Sequence, residues 1–475
     1  MAFSVAGQRV MVAGGGRSGV AAAELLVSRG AHVTLADTAA SIAGGARLGA
    51  LGVTLALGPH DPAAFAGADL VVLSPGVPPE QPAVEQARRA GVPVIGEIEL
   101  ASRFLAGRII AVTGTKGKST TTTLIARMLR EGGLDATAGG NLGTALSSQV
   151  ASSHPGALHV VEVSSFQLQT TDTFRPWIAV LLNLSPDHLD RHASFEEYAG
   201  AKARIFANQT ADDWAVVNED DPPALAIARG ARARRFDFGL DAPVADGVTV
   251  DGAAVVRREA GVVTPLLPLS VVHLPGRHLL SDVLAAAAVG CVAGLAPAAM
   301  QRAVDGFAGL EHALERVAEI EGVLFVNDSK ATNIEAARRA LESFDRGVVA
   351  ILGGRFKGGR FEDLRPAIAA RADGVVAIGE ARPMIHDALG AVVPVDDAAS
   401  MPEAVRRAFA VARRGGVVLL APACSSFDMF EDYAARGRAF TAAVAALAEE
   451  VARAGGAATP RRPAAQGGRE GARER

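Results

Sequence analysis

The sequence predicts an α/β protein built of three blocks, from three observations. Apolar runs of strand length alternate with helical segments along nearly the whole chain, the rhythm of βαβ units on parallel sheets. Two of those runs lead into glycine loops that open helices, "VAGGGRSG" near the N-terminus and "VTGTKGKST" at 112–120. A length of 475 residues, at ~150 residues per domain, suggests about three domains.

The first block runs over 1–97. "RVMVAGGGRSGVAAAELLVSRGAHVTLAD" reads strand, glycine turn, helix, strand, and "DLVVLSPGV", "QPAVEQARRAG" and "VPVIG" continue the alternation. The second block, 98–309, opens with the strand "RIIAVTG" and the helix after the second loop. It goes on through the strands "ALHVVEV", "WIAVLLN" and "WAVVN" to the helix "GRHLLSDVLAAAAVGCVAGLA". The third block, 310–450, holds "GVLFVND", "GVVAILGG", "DGVVAIG" and "GVVLLAP", each followed by a helical segment. The remainder, 451–475, carries no large apolar residue beyond its first turn and is expected to be disordered.

Composition bounds the function. Apolar residues make up 49% and charged residues 21%, an ordinary globular balance, and the net charge of −4 offers no nucleic-acid or membrane surface. Cys291 and Cys424 lack metal-ligand spacing and form no disulfide framework, which fits a reducing, intracellular compartment. No basic segment and apolar run of signal-peptide type opens the chain. The apolar stretch 283–296 is shorter than the ~20 residues a bilayer span needs and reads as a buried helix.

Gly14, Gly16 and Gly19 form G-x-G-x-x-G between a strand and a helix, and Asp37 ends the next strand. This pattern brings backbone amides up to a pyrophosphate at a helix N-terminus. It also suits a tight turn that needs glycine only for close packing, and both readings stand. The second loop is more specific. Gly114, Gly117, Lys118 and Ser119 give G-x-x-G-K-S, shorter than the usual G-x-x-x-x-G-K-[ST]. Amides cradle phosphates, Lys118 reaches the outer ones, and a hydroxyl of Ser119 or Thr120 ligates Mg²⁺.

Such a loop needs a carboxylate partner for the metal. Glu162 closes an apolar strand, where an acid is costly without a task. "NLSPDHLDRH" sets Asp187, His188, Asp190, Arg191 and His192 just past another strand, and Lys202 lies on the amphipathic "EEYAGAKARIF". In the third block "NDSKATN" presents Asp328, Lys330, Thr332 and Asn333, "LGGRFKGG" presents Lys357, and "APACSSFDMF" presents Ser425 and Ser426. Lysines and hydroxyls on strand-end loops make a pocket for a phosphate or a carboxylate.

Three function classes fit these residues. An NTP-driven enzyme acting on an acidic small molecule uses all of them. A nicotinamide oxidoreductase would leave Lys118 and Glu162 idle and would show an NAD(P)H absorbance change. A nucleotide switch would leave the third block unexplained and would turn over NTP with no second substrate.

In this order, "TGTKGKST", "EVSSFQL", "NLSPDHLDRH", "EEYAGAKARIF", "NDSKATN", "LGGRFKGG" and "PACSSFDMFEDYAARGRAF" resemble the Mur ligases, in their D-glutamate-adding branch, over residues 1 to about 450. The resemblance implies three domains: a Rossmann-like UDP-binding domain, a central P-loop ATPase-like domain with a parallel sheet, and a Rossmann-like C-terminal domain. It implies a cytoplasmic, ATP- and Mg²⁺-dependent ligase in peptidoglycan precursor synthesis, acting as a monomer. Its substrates would be the small molecules UDP-N-acetylmuramoyl-L-alanine and D-glutamate, joined through an acyl phosphate. The alternative is another Mur-type ligase or a folylpolyglutamate-type amide ligase, though chains of the latter kind begin near the P-loop.

Carried over, Gly114, Thr115, Lys116, Gly117, Lys118, Ser119, Thr120, Asp282 and Asp328 would serve ATP. Glu162 would ligate the first of two metal ions with Ser119 and Thr120, and His188 and a carbamylated Lys202 the second. Arg17, Ser18, Asp37, Thr38 and Ser74 would line the UDP site, with Asn141 and His188 further along the substrate. Lys330, Thr332, Lys357, Ser426 and Tyr433 would face D-glutamate, and Lys118, His188, Lys202 and Lys330 would be catalytic. Leu279 and Asp282 stand where the family usually has Asn, Ala313 where it has Arg, and Ala39 where some members have a basic residue.

Overall fold

The computed structural model describes residues 3–187, 191–273, 276–307, 309–356 and 358–456, with side chains to 453. The chain divides into two units, Met1–Phe307 and Ala308–Arg475. Among the described residues no helix is long and apolar enough to cross a membrane.

The first unit carries two parallel sheets. Strands β1 (Arg9–Ala13), β2 (His32–Asp37), β3 (Thr54–Leu57), β4 (Leu70–Leu73) and β5 (Val94–Gly96) are ordered β3-β2-β1-β4-β5. Strands β6 (Arg108–Thr113), β7 (Ala136–Gly140), β8 (Leu158–Glu162), β9 (Ile178–Leu181), β10 (Trp214–Val217) and β11 (Arg234–Arg235) are ordered β11-β10-β9-β6-β8-β7. The central strands β6, β8 and β9 are almost wholly buried, which is why they read as continuous apolar runs. In each sheet the glycine loop leaves the strand at which the order reverses, β1 or β6. Ligands of open α/β sheets collect at that crevice.

One apolar core runs through both sheets, from Val10, Val12 and Leu35 to Leu146, Val161 and Leu181. Glu99 clasps them. Its buried carboxylate accepts from the amides of Asp172, Thr173 and Phe174 at 2.9–3.0 Å, from Thr173 Oγ1 at 2.6 Å and from Arg103 Nε at 2.7 Å. Burial pushes this acid up, but the hydrogen bonds outweigh it and hold it below its ordinary range. Glu97, two residues earlier, has one such donor, Ser147 N at 2.7 Å, and burial drives it upward.

A four-stranded sheet that the alternation of strands and helices does not signal lies between the β11 region and the helix Arg277–Val292. It comprises β12 (Asp237–Gly239), β13 (Gly247–Asp251), β14 (Ala254–Glu259) and β15 (Val262–Pro268), in that order and antiparallel from β13 onward. Its hairpin turns use Gly252 (φ 56°) and the pair Ala260–Gly261 (φ 50° and 79°). The apolar stretch at 283–296 begins inside the helix Arg277–Val292, which is buried from Asp282 to Gly290.

The second unit has β16 (Glu315–Ile320), β17 (Val323–Asn327), β18 (Val348–Gly353), β19 (Ala372–Ile378), β20 (Val395–Asp397) and β21 (Val417–Leu420), ordered β16-β17-β21-β18-β19-β20. All pairs are parallel except the β16–β17 hairpin, a strand the apolar pattern did not reveal. Cores of small and branched residues cover both faces.

Candidate active site

The first glycine loop is locked from both sides. Gly14 has φ 93°, which favours glycine. A Cβ on Gly19 would lie 1.8 Å from Gly14 O, so the helix Arg17–Ser28 comes this close to β1 only through glycine. Asp37 takes the amides of Gly15 at 2.6 Å and Ala39 at 2.8 Å, and Ser74 Oγ donates to Gly14 O at 2.8 Å. The aspartate of the fingerprint therefore braces the loop through both its oxygens. Arg17, Ser18, Asp37, Thr38 and Ser74 all line one cavity of about 540 Å³, joined by Gly140, Asn141 and Gly143 from the end of β7.

The second loop follows β6. Gly114 and Gly117 have φ 155° and 81°, and the helix Lys118–Glu131 starts at Gly117 with no side-chain cap. A helix N-terminus following a glycine loop is a position that favours an anion. Asn183 fixes the loop, accepting from Thr115 N at 2.9 Å through its carbonyl and from Lys116 N at 2.8 Å through its side chain. Lys118 Nζ donates to Gly114 O and Thr115 O at 3.0 and 2.9 Å. Lys116 pairs with Asp187 at 3.4 Å.

Glu162, at the end of β8, is buried and accepts from Ser119 Oγ at 2.6 Å and Asn141 Nδ2 at 2.8 Å. A hydroxyl and a carboxylate meeting beside the phosphate cradle are hard oxygen donors of the kind Mg²⁺ takes. Thr120 follows at the same helix start, half-buried. Among the described residues no three His, Cys, Asp or Glu side chains converge on a point.

Lys202 is buried on the helix Phe195–Ala203. Its Nζ reaches Gly114 O at 2.8 Å and lies 4.7 Å from the centre of the Tyr198 ring. Burial, and then Lys118, hold its amine well below the usual lysine range, against the pull of Asp187 and Glu162. Tyr198 bonds Thr115 Oγ1 at 3.0 Å and so ties this helix to the loop, a role the sequence pattern did not disclose. Lys118, Lys202, Tyr198, Arg191 and Asn141 line a second cavity of about 380 Å³. It shares Pro75, Gly76 and Asn141 with the first, so the glycine-loop cavity leads toward the P-loop lysine.

Asp282 is buried against Gly117: a Cβ there would lie 2.1 Å from its Oδ1. Burial pushes its carboxyl well above the ordinary range, with Thr121 and Lys118 opposing.

In the second unit the predicted residues lie on loops after adjacent strands. Asp328, Lys330 and Thr332 follow β17, and Ser426 follows β21. Ala423 N donates to Ala331 O at 2.9 Å and joins the two loops. Asp328 accepts from Leu314 N at 3.2 Å, and burial raises its carboxyl to about 7. Ser329 Oγ donates to the carbonyl of Tyr433 at 2.7 Å, while the Tyr433 side chain is exposed. Arg436, unmarked in the sequence reading, is buried. It donates to Ser329 Oγ and O and to Cys424 O at 2.9–3.0 Å. His188 and Lys357 lie outside the described residues, as does 457–475 of the tail.

Comparison with known proteins gives the family of the chain. Residues 8–96 match "Mur ligase MurD-like, N-terminal domain", residues 112–290 "Mur ligase middle domain" and residues 314–424 "Mur ligase, glutamate ligase domain". The UDP-N-acetylmuramoylalanine–D-glutamate ligase of Acidobacterium capsulatum is 45% identical over 439 residues, covering 91% of this chain and 95% of that protein. The enzyme of the same name from Anaeromyxobacter dehalogenans is 46% identical over 447 residues, covering 91% and 96%. Among solved structures, the UDP-N-acetylmuramate-alanine ligase MurC of Thermotoga maritima aligns with a TM-score of 0.58 at 20% identity, over 93% of this chain and all of that one. MurF from the same organism aligns with a TM-score of 0.57 at 16% identity, over 95% and 96%. At such identities these two structures speak for the fold alone.

Proposed function

The chain belongs to the Mur ligase family, and from that premise we propose that it joins D-glutamate to UDP-N-acetylmuramoyl-L-alanine at the expense of ATP, for peptidoglycan precursor synthesis. The observation that carries this reading is the passage from the glycine-loop cavity to Lys118 and Lys202 through Pro75, Gly76 and Asn141. A long substrate anchored on the first sheet can present its far end to a phosphoryl donor on the second.

A carboxylate is a poor electrophile, and phosphorylation gives it a good leaving group. The γ-phosphoryl group passes to the L-alanyl carboxylate, the amine of D-glutamate attacks the acyl phosphate, and amide, ADP and phosphate result. Catalysis of such transfers is mostly positioning and charge stabilisation. Lys118 supplies a cation beside the phosphates, and the amides at 114–120 cradle them. Ser119, Thr120 and Glu162 would hold Mg²⁺, which neutralises phosphate charge when bound. Asn141 orients Glu162 and borders both cavities. His188 is proposed to serve a second ion.

Lys202 is proposed to carry a carbamate. A neutral amine is the form that takes up CO₂, and its depressed basicity supplies that form. The product is an anionic oxygen ligand in place of a cation that the metal would repel. Lys330, Thr332, Lys357, Ser426 and Tyr433 are proposed to hold D-glutamate, whose two carboxylates suit cations on separate loops. Asp282 and Asp328 are proposed to face ATP. The expected setting is a cytoplasmic monomer with domains over 1–97, 98–309 and 310–450.

The test is phosphate release by the purified protein with ATP and UDP-N-acetylmuramoyl-L-alanine, amino acids being offered one at a time. D-glutamate alone should support turnover. Equal release with L-alanine or a diamino acid would refute the assignment. Lys202→Ala should lose turnover far more than ATP binding. Full rates in both that variant and CO₂-depleted enzyme would reduce Lys202 to a packing residue.

A further inference from the structure

The glycine-loop cavity contains a polar pair that the reaction above does not use. His60 follows β3 and Gln81 precedes the helix Pro82–Arg89, and both line the cavity. His60 Nδ1 and Gln81 Oε1 are 3.0 Å apart. An amide oxygen only accepts, so Nδ1 carries the proton and the bond fixes which way the Gln81 amide points. The imidazole is held in turn by the Phe65 ring, 5.4 Å away between centroids, and its Nε2 is buried with no partner. No described group pairs with the amide nitrogen of Gln81. Gln81 thus brings an oriented, unspent N–H donor to the cavity.

The layout of the sheet says which part of a ligand meets it. The substrate's reacting carboxylate must lie at the Asn141 end, next to the cavity of Lys118. Sheet order β3-β2-β1 leads the other way, through Asp37 and Thr38 after β2 to His60 after β3. The end of the substrate farthest from its acyl group is the nucleoside. Resting on the reading of this cavity as the UDP site, we propose that Gln81, oriented by His60, reads the nucleobase by donating to the C4 carbonyl of the pyrimidine. Uracil offers a carbonyl at the position where cytosine carries an amino group, so this donor selects uridine over cytidine.

The experiment measures UDP and CDP binding to the full-length enzyme by calorimetry, with Gln81→Leu, Gln81→Glu and His60→Phe. Wild type should favour UDP. Gln81→Leu should weaken UDP by about five- to tenfold, one net hydrogen bond, leave CDP little changed and so erase the preference. Gln81→Glu, an acceptor in the same place, should favour CDP. His60→Phe should lose part of the preference because the amide is no longer oriented. The KM values for ATP and D-glutamate should not move. Equal weakening of UDP and CDP in Gln81→Leu would place the donor on a group the two share, the diphosphate, the ribose or the C2 carbonyl, and overturn the inference, as would unchanged binding of both. Failure of the wild type to bind UDP would overturn the reading of the cavity itself, a distinct result. If Gln81→Leu folds poorly, the reversal expected of the nearly isosteric Gln81→Glu decides the matter.

Discussion

The two glycine loops of the first unit occupy matching places. Each leaves a strand at which the sheet order reverses, each opens a helix, and each has an aspartate packed on one of its glycines. Their surroundings differ. At the first loop Asp37 spends both oxygens on backbone amides, and Ser74 ties down Gly14 O. At the second, a lysine opens the helix, another is buried behind it, a carboxylate waits on the neighbouring strand, and Asp282 is buried with its carboxyl pushed upward. A satisfied loop can hold a diphosphate and stay still. A loop ringed by unlike charges out of water can stabilise charge that moves. On the proposed reading, the same backbone motif serves binding or transfer according to what adjacent strand ends bring to it.

Lys118→Ala should break the contrast most severely. It removes the lysine that opens the helix of the second loop and leaves the first loop untouched. The expected loss is ~10³-fold in kcat, or about 4 kcal/mol of transition-state stabilisation, with an unchanged KM for the UDP substrate. Steady-state phosphate release reads both. A rise in that KM as large as the fall in kcat would mean the loops do not divide the work.

Much of this contrast was legible in the sequence because phosphate loops carry their chemistry in consecutive residues. Lys118, Ser119 and the acid closing the next buried strand, Glu162, could be paired on motif and strand position alone. What stayed hidden depends on long-range packing. Nothing local marks Asp37 as a brace, since the same spacing serves a ribose-binding acid. Lys202 looks like a surface charge on an amphipathic helix until β6 closes over it. Arg436 and Glu99 act through backbone partners remote in sequence, and His60 and Gln81 meet only because two strand-end loops converge. The β12–β15 sheet was missed although "VDGAAV" carries the Asp-Gly turn signal between apolar residues; the strong βαβ rhythm on either side masked it.

Glycine substitutions sharpen the comparison on the binding side. Gly19→Ala sets a Cβ 1.8 Å from backbone oxygen, whereas a Cβ on Gly16, with φ −71°, meets nothing within 4 Å. Gly19→Ala should destabilise the protein by ~2–3 kcal/mol and weaken UDP binding, because the helix must move off β1. Gly16→Ala should change stability by under ~0.5 kcal/mol. Urea titration with UDP calorimetry separates the two, and equal effects would show that the loop is looser than its packing indicates.

The smallest effect distinguishes the two aspartates. Asp282 has its carboxyl raised, so between the unfolded value of about 4 and its folded value the native state binds more protons than the unfolded chain. Stability contributed by this group is therefore present at low pH and lost as pH rises through that window. Asp282→Asn keeps shape and an acceptor but cannot ionise, so its advantage over wild type should grow as pH rises. Asp37→Asn should lose stability instead of gaining it. Each carboxylate oxygen accepts one of the Gly15 and Ala39 amides; in Asn one of those oxygens becomes an NH2 group, which cannot accept, so one bond is lost at a cost of ~1 kcal/mol. Thermal melts of both variants from pH 5 to 8, in the absence of nucleotide, give the comparison directly. A stabilised Asp37→Asn, or an Asp282→Asn whose advantage shrinks as pH rises, would mean that the cost of buried charge lies on the first loop rather than the second.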